Sequence, residues 1–152
     1  FAATGEAKTP KVYRVLFIDE DNSCLSHIAA AIAKKAFPES GEYSSAGRVA
    51  ASSLNPDMRN FLEGLSIDLG SAKPTQVEAT REDLAYYHFI VSLQGPVQDL
   101  LVCAVPFRTA ALEWDVGDIP EGDDTEAYEA IYSDIALRVR ELMILLRGEG
   151  AD

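Results

Sequence analysis

The sequence predicts an α/β fold, a three-layer sandwich in which a four-stranded parallel sheet carries helices on both faces. Two observations lead there. Apolar runs with no alternation, Val15-Leu16-Phe17-Ile18 and Phe89-Ile90-Val91, have the pattern of strands buried on both sides. Between such runs lie segments with apolar residues three and four apart, and strands alternating with helices imply a parallel sheet with one-handed crossovers. The chain of 152 residues, 47% of them apolar, is long enough for one core.

Phe1 to Pro10 is small, polar and broken by Gly5 and Pro10, so a linker or disordered end is expected there, with a single domain over residues 11–152. The first strand spans Val12 to Ile18 and stops at Asp19. Leu25, Ile28, Ile32 and Ala36 place a helix over Ser23 to Phe37, with Pro38 beyond it. A short strand, Glu42 to Ala46, ends at Gly47. Helices follow at Pro56 to Glu63, Pro74 to Ala79 and Arg81 to Tyr86. His88 to Leu93 is the next strand, turned out by Gly95 and Pro96, with a short helix over Pro96 to Leu101. Thr109 to Trp114 is the fourth strand. The final helix, Thr125 to Arg147, aligns Ile131, Ile135, Val139, Leu142 and Leu146, with acids at its start and arginines in its second half.

The formal charge of −12 argues against nucleic acid as a partner, and no apolar run is long enough for direct membrane insertion. No signal-peptide pattern opens the sequence, and two distant cysteines, Cys24 and Cys103, suit a reducing, cytoplasmic setting. Position 1 is Phe, so a processed chain or a domain cut from a larger protein is expected.

Ligands of open α/β sheets bind at the carboxyl ends of the strands, which directs attention to the loop Asp19-Glu20-Asp21-Asn22-Ser23-Cys24-Leu25-Ser26. With the strand before it, this stretch resembles the opening of the low-molecular-weight protein tyrosine phosphatases and the related thioredoxin-coupled arsenate reductases. Their phosphate loop consists of Cys, five residues, Arg and Ser. Ser45-Ala46-Gly47, Asn55-Pro56 and Trp114-Asp115-Val116-Gly117-Asp118 agree in order, so the resemblance spans Val12 to Leu146. It implies the same four-stranded fold. It also places the nucleophilic Cys on Asp19, the phosphate-binding Arg on Leu25 and a loop Gly on Asp21, while Asn22, Ser23, Cys24 and Ser26 match. Asp118 matches the general acid, though Ile119 separates it from Pro120.

The departures remove the chemistry. Thiolate attack and bidentate phosphate recognition both lose their group. Asp19, Glu20 and Asp21 add negative charge instead, and two unit charges about 4 Å apart repel by roughly 4 kcal/mol at an effective dielectric near 20. A helix N-terminus offsets only about 0.3–2 kcal/mol of that. The loop is expected to reject phosphate and arsenate, leaving a catalytically inactive domain with an interaction or regulatory role, appended to or partnered by another protein.

Between Glu113 and Glu126 there is no Lys or Arg, so solvation, a divalent cation or a basic partner surface must balance that segment. No resident cofactor is expected. A cation site would draw on Asp19, Asp21 and Asp118. One alternative is a magnesium-dependent phosphatase with Asp19 as nucleophile, whose motifs resemble haloacid-dehalogenase-like enzymes at Asp19, Asp21, Ser92, Gly117, Asp118 and Asp123. It lacks a lysine after Lys73. Another is a cation or small-ligand sensor. Cys24 reads as a buried structural thiol, Cys103 as a strand-edge or core thiol, and His27 as a surface or capping residue. His88 reads as a backbone partner, and Ser23 and Ser26 as helix caps. Tyr86 and Tyr87 fit either core edge or binding surface.

Overall fold

In the computed structural model, residues 12–147 are described; the expected linker at 1–10 lies outside them. Four strands, β1 (Tyr13–Asp19), β2 (Gly41–Gly47), β3 (Phe89–Ser92) and β4 (Ala110–Glu113), form one sheet. Its order is β2-β1-β3-β4 and every pairing is parallel. The helices are α1 (Leu25–Ala36), α2 (Pro56–Gly64), α3 (Arg81–Leu84), α4 (Val97–Leu100) and α5 (Thr125–Arg147).

The alternation of β1 builds both layers of core. Val15 and Phe17 face a large cluster containing Leu25, Ile28 and Ile32 of α1, Met58 and Leu62 of α2, and Tyr128, Ile135, Val139 and Met143 of α5. Leu16 and Ile18 face a smaller cluster with Leu84 of α3, Ile90 of β3, and Val97 and Leu100 of α4. A strand enclosed on both sides can be apolar throughout, which is why the run 15–18 carries no polar residue.

Two local features set the approach to the first loop. Asn55 caps α2, its side-chain oxygen accepting from the amides of Asp57 (2.9 Å) and Met58 (3.2 Å), with Pro56 in the first turn. The expected helix over Pro74 to Ala79 is absent. That segment is extended and bridges the end of β2 through Gly47 N to Thr75 O (2.9 Å) and Val77 N to Gly47 O (2.8 Å), because backbone pairing and burial of Val77 outweigh local helical spacing. Tyr86 is exposed and donates to Glu42, whereas Tyr87 packs against the smaller cluster. Cys103 is half-buried between α4 and β4 beside that cluster, on no strand. Among the described residues, no helix is long and apolar enough to cross a membrane.

Candidate functional site

The loop between β1 and α1 carries its own anion. Asp19, 1% exposed, accepts the amide of Asn22 at Oδ1 (2.7 Å) and the amide of Ser26 at Oδ2 (2.9 Å). Ser26 lies in the first turn of α1, where amides have no helical partner, so the carboxylate satisfies one of them. Burial raises the Asp19 carboxyl to about 6, against the opposing pull of the Ser26 and Asn22 hydrogen bonds.

Asn22 makes the turn possible. Its φ of 55° is the left-handed region that Asn tolerates better than most residues. Its side chain is held on every side: Nδ2 donates to Ser26 Oγ (2.8 Å), and Oδ1 accepts the Thr75 amide (2.8 Å) and His27 Nε2 (3.0 Å). His27 is therefore buried, not a surface or capping residue, and burial lowers its pKa to about 4. The loop carbonyls are tied to the chain after β2 through Arg48 N to Asp19 O (3.0 Å), Val49 N to Glu20 O (3.1 Å) and Ala51 N to Asp21 O (2.9 Å). Gly47 approaches so closely that a Cβ there would lie 2.5 Å from Asn22 N.

Other sequence expectations need correction. Of the three acids, Asp21 still opposes ionisation of Asp19 by its charge, but each has its own partner. Glu20 is exposed and paired with Arg48, whose Nε donates at 2.6 Å, and Asp21 Oδ1 accepts the Ser23 hydroxyl (2.7 Å). Ser23 and Ser26 do not cap α1; no side chain of its N-cap residue, Cys24, does so either, and Asp19 fills that role from the strand. Cys24 and Leu25 are fully buried in the large core and are not available to a ligand in the loop. Burial, followed by the charge of Asp19, pushes the Cys24 thiol up to about 12. The Tyr128 hydroxyl lies beside that thiol without hydrogen-bond geometry and has no partner among the described residues.

Asp118 is exposed on the segment before α5. Neighbouring acids there have local tasks: Glu113 Oε2 accepts the Val97 amide (2.7 Å), and Asp124 Oδ1 accepts the Ala127 amide (3.1 Å). Among the described residues no three His, Cys, Asp or Glu side chains are grouped to hold a metal ion, so Asp19, Asp21 and Asp118 do not converge on one. Asp19 itself is buried with both oxygens engaged. Sequence reading missed Thr75 and Arg48, remote in sequence from what they hold, and the role of His27; Gly47 was visible as the stop of the second strand and through the motif resemblance.

Comparison with known proteins agrees with the fold. The family described as low molecular weight phosphotyrosine protein phosphatase matches residues 14–151. Among solved structures, a thioredoxin-dependent arsenate reductase of Corynebacterium glutamicum superposes with a TM-score of 0.73 at 24% identity, covering 94% of this chain and 65% of that one. Vibrio vulnificus Wzb in complex with benzylphosphonate gives 0.70 at 15% identity, covering 86% and 97%. The YwlE arginine phosphatase from Geobacillus stearothermophilus gives 0.66 at 20% identity, covering 89% and 93%. Among curated proteins, none matches the sequence. At these identities the neighbours establish the fold alone.

Proposed function

We propose that this chain, which belongs to the low molecular weight phosphotyrosine protein phosphatase family, is a non-catalytic member with an interaction or regulatory role. The observation that carries the reading is the Asp19 carboxylate, which accepts the Asn22 and Ser26 amides inside the loop. An incoming oxyanion would have to displace a covalently attached one. Asp19 stands where the resemblance places the nucleophilic thiolate, and Leu25, sealed in the core, where it places the guanidinium. Neither covalent attack nor bidentate recognition has a group to perform it.

An inactive domain of this kind acts by contact. The segment from Glu113 to Glu126, without a basic residue, offers a surface for a basic protein partner or a fused domain. Free Cys24 and Cys103 fit a reducing cytoplasmic setting.

The test is turnover of aryl phosphate, phosphotyrosine and phosphoarginine peptides, and reduction of arsenate with thioredoxin, each with and without magnesium. No turnover above background is expected. A rate near 1 per second, ordinary for an enzyme, that disappears in Asp19→Asn would overturn the reading in favour of an aspartyl-phosphate mechanism.

A further inference from the structure

His27 and Thr75, which meet on Asn22 Oδ1, also line a cavity of about 670 Å³ between α1 and the segment 66–75. That volume is in the range of small-molecule sites and far larger than an inorganic anion requires. Its walls are apolar where Ala30, Ala31, Ile67 and Leu69 contribute. Its charge runs against the rest of the chain. Lys34, Lys35 and Lys73 line it, three of the five lysines in a sequence of formal charge −12, with Asp68 as the one lining acid among the described residues. Lys35 Nζ donates to Leu65 O (3.3 Å), which holds one ammonium at the edge of this segment.

The buried polar group in the wall is His27, 7% exposed. Asn22 Oδ1 is an acceptor, because the Thr75 amide donates to it, so the His27 proton resides on Nε2. Nδ1 then presents a lone pair, and it has no partner among the described residues. It is not sealed off either: the Tyr128 hydroxyl is the buried side-chain polar atom among them that lacks both partner and solvent. Nδ1 is thus an unused, solvent-reachable acceptor on a residue that lines the cavity.

From this set we infer that the cleft binds a small organic anion: an apolar body bearing one acidic group, which the lysines receive, and one N–H or O–H donor, which His27 Nδ1 accepts. An inorganic ion would leave the apolar walls wet. The inference does not depend on whether the Asp19 loop is catalytically silent.

Anilinonaphthalene sulfonate is a suitable probe, since it has an apolar body, a sulfonate and an N–H; N-phenylnaphthylamine is its uncharged parent. Fluorescence titration of the whole chain should give saturable one-to-one binding of the sulfonate, at least about tenfold tighter than its parent. The exposed set Lys34→Gln, Lys35→Gln and Lys73→Gln should weaken it at least about tenfold, and Ala72→Trp, which fills the cavity and keeps the lysines, should do the same. Circular dichroism would establish that both variants are folded. Amide shifts on binding should centre on residues 66–75 and α1. Equal affinity for the two probes, unchanged affinity in the folded lysine variant, shifts centred elsewhere, or no saturation by about 1 mM would each overturn the proposal.

Discussion

The Ser26 amide donates to Asp19 Oδ2 at 2.9 Å, so the first turn of α1 is capped by a side chain seven residues earlier, at the end of the strand that precedes the loop. The same carboxylate holds the Asn22 amide. Strand, turn and helix are therefore joined through one buried charge, which two amides and the helix N-terminus stabilise against the cost of desolvation.

Removing that charge tests the arrangement. Asp19→Ala leaves two buried amides without an acceptor and should lower stability by about 1–3 kcal/mol. Formate, the side chain's missing carboxylate, should return part of the loss in the variant and none in the parent. Thermal melts in formate and in chloride at equal ionic strength would decide; a formate effect of equal size in both proteins would refute the capping account.

Asp19 and His27 titrate in opposite senses. The Asp19 carboxyl is raised from 3.8 to about 6, so stability from its neutral form is full below its unfolded value and lost as pH rises through 6. His27 is lowered from 6.5 to about 4, so stability from its neutral form is present above 6.5 and lost as pH falls through 4. Each is worth on the order of 3 kcal/mol, and across this interval they offset. His27→Gln removes one of them: relative to the parent, its stability should rise by about 3 kcal/mol as pH falls through the interval. Urea titrations at several pH values would reveal it, and parallel curves for the two proteins would count against it.

The two thiols should differ in reactivity. Cys24 is fully buried and its thiol is pushed up to about 12, whereas Cys103 is half-buried. Iodoacetamide at pH about 8 should label Cys103 at least about a hundredfold faster than Cys24 in the native chain, and both alike in urea. Mass spectrometry of the labelled peptides reads this directly; comparable native rates would contradict the burial of Cys24.

Gly47→Ala should destabilise by at least about 2 kcal/mol. The added Cβ meets backbone, 2.5 Å from Asn22 N and 2.6 Å from Asp21 C, so no side-chain rotation relieves it. Moving Gly47 also strains its hydrogen bonds to Thr75 and Val77. A urea midpoint within error of the parent would mean that the loop moves freely, contrary to its dense backbone ties.

The fold was legible because its signals are local and strong: the apolar run of β1, the stripe of α5, and Pro56 after Asn55. Helix α5 was bounded at Thr125 and Arg147 from its pattern alone. The loop Asp19 to Ser26 was legible as the turn from the first strand into the first helix, but not in its internal bonding. Leu25 begins the apolar stripe it shares with Ile28 and Ile32, but that the stripe seals it away from the loop depends on α1 packing against the sheet. His27 was misjudged because its partner, Asn22, is fixed by Thr75, whose own placement needs a bridge to Gly47. The segment 74–79 failed for the same reason, since its extended form comes from a distant strand end.

The all-parallel sheet also governs how the chain reaches this state. Among the described residues no strand pairs with a neighbour across a hairpin, so each of their pairings closes a long loop before it gains a hydrogen bond. The central strand is the extreme case: the Arg14 amide bonds to the ring of His88, 74 residues away. During synthesis β1 can acquire β2 early, but its other edge stays open until β3 has left the ribosome. For that interval the apolar row 15–18 has one unpaired edge, and its faces lack the cover that α4 and α5 supply later. Pairing of that edge therefore waits for residues 89–92, and slowing translation between the two strands would lengthen the period in which it is open to aggregation or to capture by a chaperone.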